Sequence, residues 1–181
     1  DPEPYVHDIN MLLSRDERDA AILAALQERP DNAPPPDIAG RLSLAVARNR
    51  RWANGRTLRV KYLDARRYSS WQWRVQAVMD AASEWTRYAN LTFVVSDDPQ
   101  SEIRVTFGGN GCWSLIGTDA RGVHPSRATL NLSVMSWRQP TGFRKYVLHE
   151  FGHAIGCVHE HQTPIAGTPW NTAAVYDFYW Q

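Results

Sequence analysis

An α+β domain, a mixed sheet with helices packed on it, is the fold class this sequence predicts. Two observations carry the prediction. Between residues 57 and 133 a strand-like period gives way to a helical one and then to several short strand-like runs. The composition, 43% hydrophobic and 11% aromatic with eight Trp, can also bury a core. At 181 residues the chain fits one globular domain with an appended segment. Whole-chain disorder is excluded by the same composition. No run approaches the roughly 18 apolar residues of a membrane-spanning helix, so no membrane partner is expected. The start, Asp1-Pro2-Glu3-Pro4, has neither the basic residues nor the apolar core of an export signal.

The elements follow in order. Ser14 to Arg29 opens with a capping residue and acidic Asp16 and Glu17, then sets Ala20, Ile22, Leu23, Ala24 and Leu26 at roughly helical spacing. That helix ends at Pro30, and the proline-rich run to Asp37 predicts an extended linker, which divides an acidic segment, 1–40, from a main domain, 41–181. Thr57 to Asp64 alternates Leu58, Val60 and Tyr62 with Arg59 and Lys61, the period of a half-buried strand. From Ser70 to Asn90, Val75, Val78, Met79, Ala82, Trp85 and Ala89 share one face of a long helix. Leu91–Ser96, Glu102–Phe107 and Ala128–Ser133 read as strands, with Trp113–Gly117 a fourth candidate after the loop Gly108-Gly-Asn-Gly111.

The net charge of +1 hides an asymmetry. Residues 1–40 carry nine acids against three bases, and residues 41–74 carry ten bases against Asp64. The arginines of the second block, with Trp52 and Trp71, would suit a nucleic-acid surface. The acidic block beside them can instead neutralise them within the chain and remove the long-range field that phosphate binding needs, so no nucleic-acid partner is expected.

The chemistry is concentrated in Val147-Leu-His-Glu-Phe-Gly-His-Ala-Ile-Gly-Cys-Val-His-Glu-His161, which holds four of the six histidines. His149 and His153, four residues apart, lie on one helix face about a turn apart, so two imidazoles can meet one ion. Glu150 stands beside them, where a carboxylate can reach a metal-bound water as general base without being a ligand. Gly156 can take positive φ at the helix end and swing His159 back toward the ion. Three neutral imidazoles leave one Zn2+ with its full charge and a fourth position open for water. H-E-x-x-H with the further Gly and His arises by chance in a chain of this composition at roughly 10⁻⁵. His161 is not expected to be a ligand, since three nitrogens already serve the ion; His7 and His124 are isolated.

The pattern His149-Glu150-x-x-His153-x-x-Gly156-x-x-His159 resembles the metzincin zinc-peptidase motif at every defined position, and Glu160-His161 resembles the astacin branch. The resemblance, over roughly residues 50–165, implies a zincin-like fold. It consists of a twisted, mostly parallel sheet of about five strands, a backing helix matched to Ser70–Asn90 and an active-site helix matched to Thr141–Gly156. It implies a zinc-dependent endopeptidase, with His149, His153 and His159 as metal ligands, Glu150 as catalytic base and a protein or peptide as substrate. Arg104–Thr106, or the segment after Cys112, would be the edge strand that binds extended substrate. A catalytically inactive zincin-fold binding module is the alternative.

The departures set further expectations. The family's methionine turn lies well after the third histidine, yet Met11, Met79 and Met135 all precede the motif, and neither Tyr176 nor Tyr179 follows a methionine. Much of the lower subdomain is therefore expected to be absent from this sequence, with a complementary C-terminal chain as a partner. The acidic segment 1–40 could serve as a pro-segment or lid, with Asp31 or Asp37 approaching the zinc. A Cys112–Cys157 disulfide would close a loop of about 45 residues, worth roughly 4 kcal/mol, against two buried thiols as the alternative. With the bridge, a secreted, extracellular location is expected.

Overall fold

The computed structural model describes residues 13–32, 48–133 and 140–159. Five strands form one sheet in the order β2-β1-β3-β5-β4. They are β1 (Thr57–Tyr62), β2 (Thr92–Val95), β3 (Ile103–Thr106), β4 (Cys112–Ser114) and β5 (Leu130–Leu132). All neighbours run parallel except β4, which pairs antiparallel with β5 through Cys112 opposite Leu132 and Ser114 opposite Leu130. The edge strand on the β5 side is thus the segment at Cys112. Arg104–Thr106 lies inside β3, between β1 and β5, and cannot offer a free edge.

Parallel neighbours need a crossover, and the one from β1 to β2 carries α2 (Trp71–Ala82). The helix expected to reach Asn90 stops sooner, and Ser83–Arg87 continues as a 3-10 turn. The Ser83 and Thr86 hydroxyls donate to the carbonyls of Asp80 and Ser83, each at 2.7 Å, and so compete with the α-helical ladder. The core fills the space between the sheet, α2 and α3 (Pro140–Ala154). Leu58, Val60, Ile103, Val105, Leu130 and Leu132 meet Val78 and Ala82 of α2 and Val147 and Phe151 of α3, all at 1% exposure or less. Burial of each large side chain contributes about 1.5–3 kcal/mol.

Trp85, just past α2, lies against α3: its indole N–H donates to the Leu148 carbonyl at 2.8 Å. A Cβ at Gly152 would come within 2.9 Å of the Trp85 ring, so this turn of α3 has no side chain where the indole lies.

The helix α1 (Arg15–Glu28) begins on a reciprocal cap, with Glu17 N–H donating to Ser14 Oγ at 3.3 Å and Ser14 N–H to the Glu17 carboxylate at 2.9 Å. It buries Ala21 and Ala25, not Ile22 and Leu23, which stay exposed. Small residues face inward because α1 lies against the 3-10 turn Gly117–Gly122, where a Cβ on Gly122 would stand 2.4 Å from the Glu17 carbonyl oxygen. Arg104 fixes that turn from below. Its guanidinium, 3% exposed, donates to the carbonyls of Ser101, Ala120, Val123 and Arg127 at 2.8–3.1 Å.

The two charge blocks pair with each other. Glu28, its side chain 2% exposed, takes Arg56 at 2.8 Å, and Asp31 takes Arg51 at 3.1 Å; beyond the basic block, Arg121 also reaches Glu28, at 2.9 Å, and Arg127 pairs with Glu17. Pro30–Asn32 is a 3-10 turn, not extended chain, because the Asn32 amide donates to the carbonyls of Ala25 and Arg51 and draws the backbone inward. The rest of the proline run lies outside the described residues. No helix among the described residues is long and apolar enough to cross a membrane.

Candidate metal centre

The helix α3 carries His149, Glu150 and His153 from its last turns and ends in a tight reversal at Gly156, φ +113°. The Gly156 N–H donates to the His153 carbonyl at 2.8 Å and the Cys157 N–H to the Gly152 carbonyl at 2.9 Å. This glycine-ended helix cap satisfies two carbonyls that a helix end otherwise leaves open. Past it, the chain comes back as the sequence predicts and brings His159 to the other two rings. The three Nε2 atoms stand 3.1, 3.1 and 3.2 Å apart.

Their chemistry fits a cation. His153 Nδ1 lies 2.8 Å from the Cys157 carbonyl oxygen, which can only accept, so Nδ1 carries the proton and Nε2 presents a lone pair. Three nitrogens spaced at 3.1–3.2 Å lie about 1.8 Å from their common centre, inside the roughly 2.0–2.1 Å of a zinc–nitrogen bond. A point just off their plane therefore reaches all three. His149 is exposed and His153 buried, which leaves one side of the triad open to solvent. Glu150 is 1% exposed, and burial pushes its carboxyl up to about 8. A neighbouring dication would act in the opposite direction.

Asp31, expected near the metal, is held by Arg29 at 2.6 Å and by Arg51, which keep its carboxyl below the usual range. Asp37, His7, Glu160, His161, Met11, Met135, Tyr176 and Tyr179 lie outside the described residues, and Met79 packs against the core from α2. His124 is an exposed loop residue beside Ser126. No bridge joins Cys112 to Cys157 among the described residues. The pleat of β4 turns Cys112 into the main core, whereas Cys157 sits on the reversal after α3, where burial raises its thiol pKa. The Cys157 backbone, not its sulfur, serves the site, as the acceptor that orients His153. Nothing in the residue type announces that role; the glycine one position earlier, which forms the turn, is the available signal.

A mostly parallel five-stranded sheet, backed by α2 and carrying an H-E-x-x-H helix against an antiparallel edge strand, defines a zincin-like protein of the metzincin class. Residues 45–164 match the peptidase family described as Astacin, and the chain belongs to that family of metallopeptidases. It is 33% identical over 86 residues to "Zinc metalloproteinase nas-27" of Caenorhabditis elegans, across 48% of this chain and 18% of that protein. Two solved structures of myroilysin are similar. One, at TM-score 0.63 and 36% identity, covers 75% of this chain and 65% of the other. The second, a crystal structure at TM-score 0.56 and 31% identity, covers 83% of this chain and 65% of the other. The chain thus spans about a fifth of that curated relative and just under two thirds of each myroilysin chain.

Proposed function

We propose that this chain is the zinc-binding portion of a metalloendopeptidase, with one zinc held by His149, His153 and His159. The convergence of the three Nε2 atoms, with His153 fixed in the ligand tautomer by the Cys157 carbonyl, carries this reading. Zinc, when bound, supplies Lewis acidity that brings the ionisation of water near neutral pH. The Glu150 carboxylate takes the proton of the attacking water and returns it to the leaving amine. Burial raises the proton affinity of this carboxyl and a bound dication lowers it, so the two act against each other on the group that carries the proton. The edge strand β4 presents main-chain groups along which an extended peptide can lie as a further strand.

The test uses the full chain with stoichiometric zinc and an internally quenched peptide. Glu150→Gln is expected to keep one zinc per chain and to lose turnover by about 10²–10⁴-fold. A chain that binds no zinc, or an E150Q variant that keeps its turnover, overturns the proposal. Bound metal without hydrolysis in the wild type favours the inactive binding module.

A further inference from the structure

The acidic N-terminal segment lies outside the stretch that matches the family, yet it touches the architecture of the metal turn. The helix end of α3 leaves carbonyls to be satisfied, and the glycine cap serves those of Gly152 and His153. The next, that of Ala154, is taken by the Trp52 indole, 4% exposed, which donates to it at 2.9 Å. The main chain on both sides of Trp52 is in turn held by the α1 segment. Asn32 donates to the Arg51 carbonyl at 3.1 Å, and Glu28 accepts from the Ala53 N–H at 3.0 Å. Arg56, paired with the same Glu28, lies 5.5 Å over the Trp52 ring.

The geometry points to a positive role for this segment: α1 and its Asn32 turn brace Trp52, and Trp52 pins the helix end after which the Cys157 carbonyl orients His153 and His159 joins the triad. Trp52, Glu28 and Asn32 are positioning residues; none is placed to touch the ion. The inference rests on the zinc reading above. It also reverses the sign expected of an inhibitory lid, because loosening a brace weakens the site, whereas loosening a lid exposes it.

The experiment uses the chain of residues 1–181 loaded with zinc, or with cobalt(II) as an optical probe. Transfer of metal to a chromogenic chelator is timed, and the visible cobalt bands are recorded. Trp52→Phe keeps an aromatic ring but deletes the N–H with part of the indole; Asn32→Ala and Glu28→Gln loosen its two anchors. Each is expected to release metal about tenfold faster, at the lower end of what outer-shell partners contribute, and to alter the cobalt bands. Ser14→Ala, at the far end of α1, is expected to lower thermal stability without changing metal release. Unchanged release and spectrum in W52F and N32A overturn the brace while leaving the zinc reading intact. Faster hydrolysis by N32A or E28Q overturns it in favour of the lid. Absence of metal from the wild type is failure of the underlying reading, not of the brace alone. If W52F does not fold, N32A and E28Q decide.

Discussion

Gly156→Ala is the substitution on which the geometry of the metal turn can be judged. At φ +113° an alanine must either occupy a backbone region that costs about 1–3 kcal/mol or let the turn relax. Relaxation loses the Gly156-to-His153 and Cys157-to-Gly152 hydrogen bonds, at about 0.5–1.5 kcal/mol each. Either route removes about 1–3 kcal/mol, which for a chain of this size lowers Tm by about 2–12 °C. The routes differ at the metal. A strained but intact turn keeps zinc affinity, whereas a relaxed one moves the Cys157 carbonyl from His153 Nδ1 and carries His159 with it, weakening zinc about 10–100-fold. Melting curves of the zinc-free and zinc-loaded protein, with chelator competition, separate the two. Tm within a degree of wild type together with unaltered zinc affinity would refute the reasoning, since neither strain nor rearrangement would then have occurred.

Two further outcomes follow from buried charge. Arg104→Met strands the carbonyls of Ser101, Ala120, Val123 and Arg127, and unfolding in urea is expected to show a loss of about 4 kcal/mol or more; a loss below about 1 kcal/mol would contradict the clamp. Burial alone would raise the Glu102 carboxyl, but hydrogen bonds from Arg59 and Arg56 outweigh it and bring it down from 4.5 to about 2. A depressed folded-state pKa gives stability that is present above the unfolded value and lost as protons bind in the fold. Wild-type stability should therefore fall between about pH 4.5 and 2, and Glu102→Gln should flatten that fall; equal acid sensitivity in both proteins would contradict the assignment.

The histidine segment was legible because its chemistry is local. Two histidines one turn apart and a glycine that ends the helix fix where three nitrogens go, and a periodicity of two or 3.6 residues marks the strands and helices. Strand order was not legible. Arg104–Thr106 and the segment after Cys112 were alternative candidates for the edge, since a parallel sheet built through crossovers leaves no trace of adjacency in neighbouring residues. The inward face of α1 was not legible for a related reason. Ile22 and Leu23 are the larger apolar groups, but the close approach of Gly122 admits only Ala21 and Ala25. Asn32, Trp52 and Arg104 act over separations of 19, 102 and up to 23 residues, respectively, through side-chain donors whose acceptors are main-chain carbonyls, which carry no residue-type signature. The opposite charges of the two blocks did announce the pairing of Arg51 and Arg56 with Asp31 and Glu28, though not that Glu28 would be buried or would also take Arg121 from outside the basic block.

The bare spot on α3 at Gly152 limits what can be done to improve this protein. A helix interior ordinarily gains about 1 kcal/mol when glycine becomes alanine, so stabilisation by sequence averaging or helix-propensity scoring would single out residue 152 early. Here the added methyl would collide with the Trp85 indole and loosen its grip on Leu148, one residue before His149. Selection for heat resistance at that position should return glycine, and gains in robustness must be sought on faces of the molecule that no tryptophan occupies.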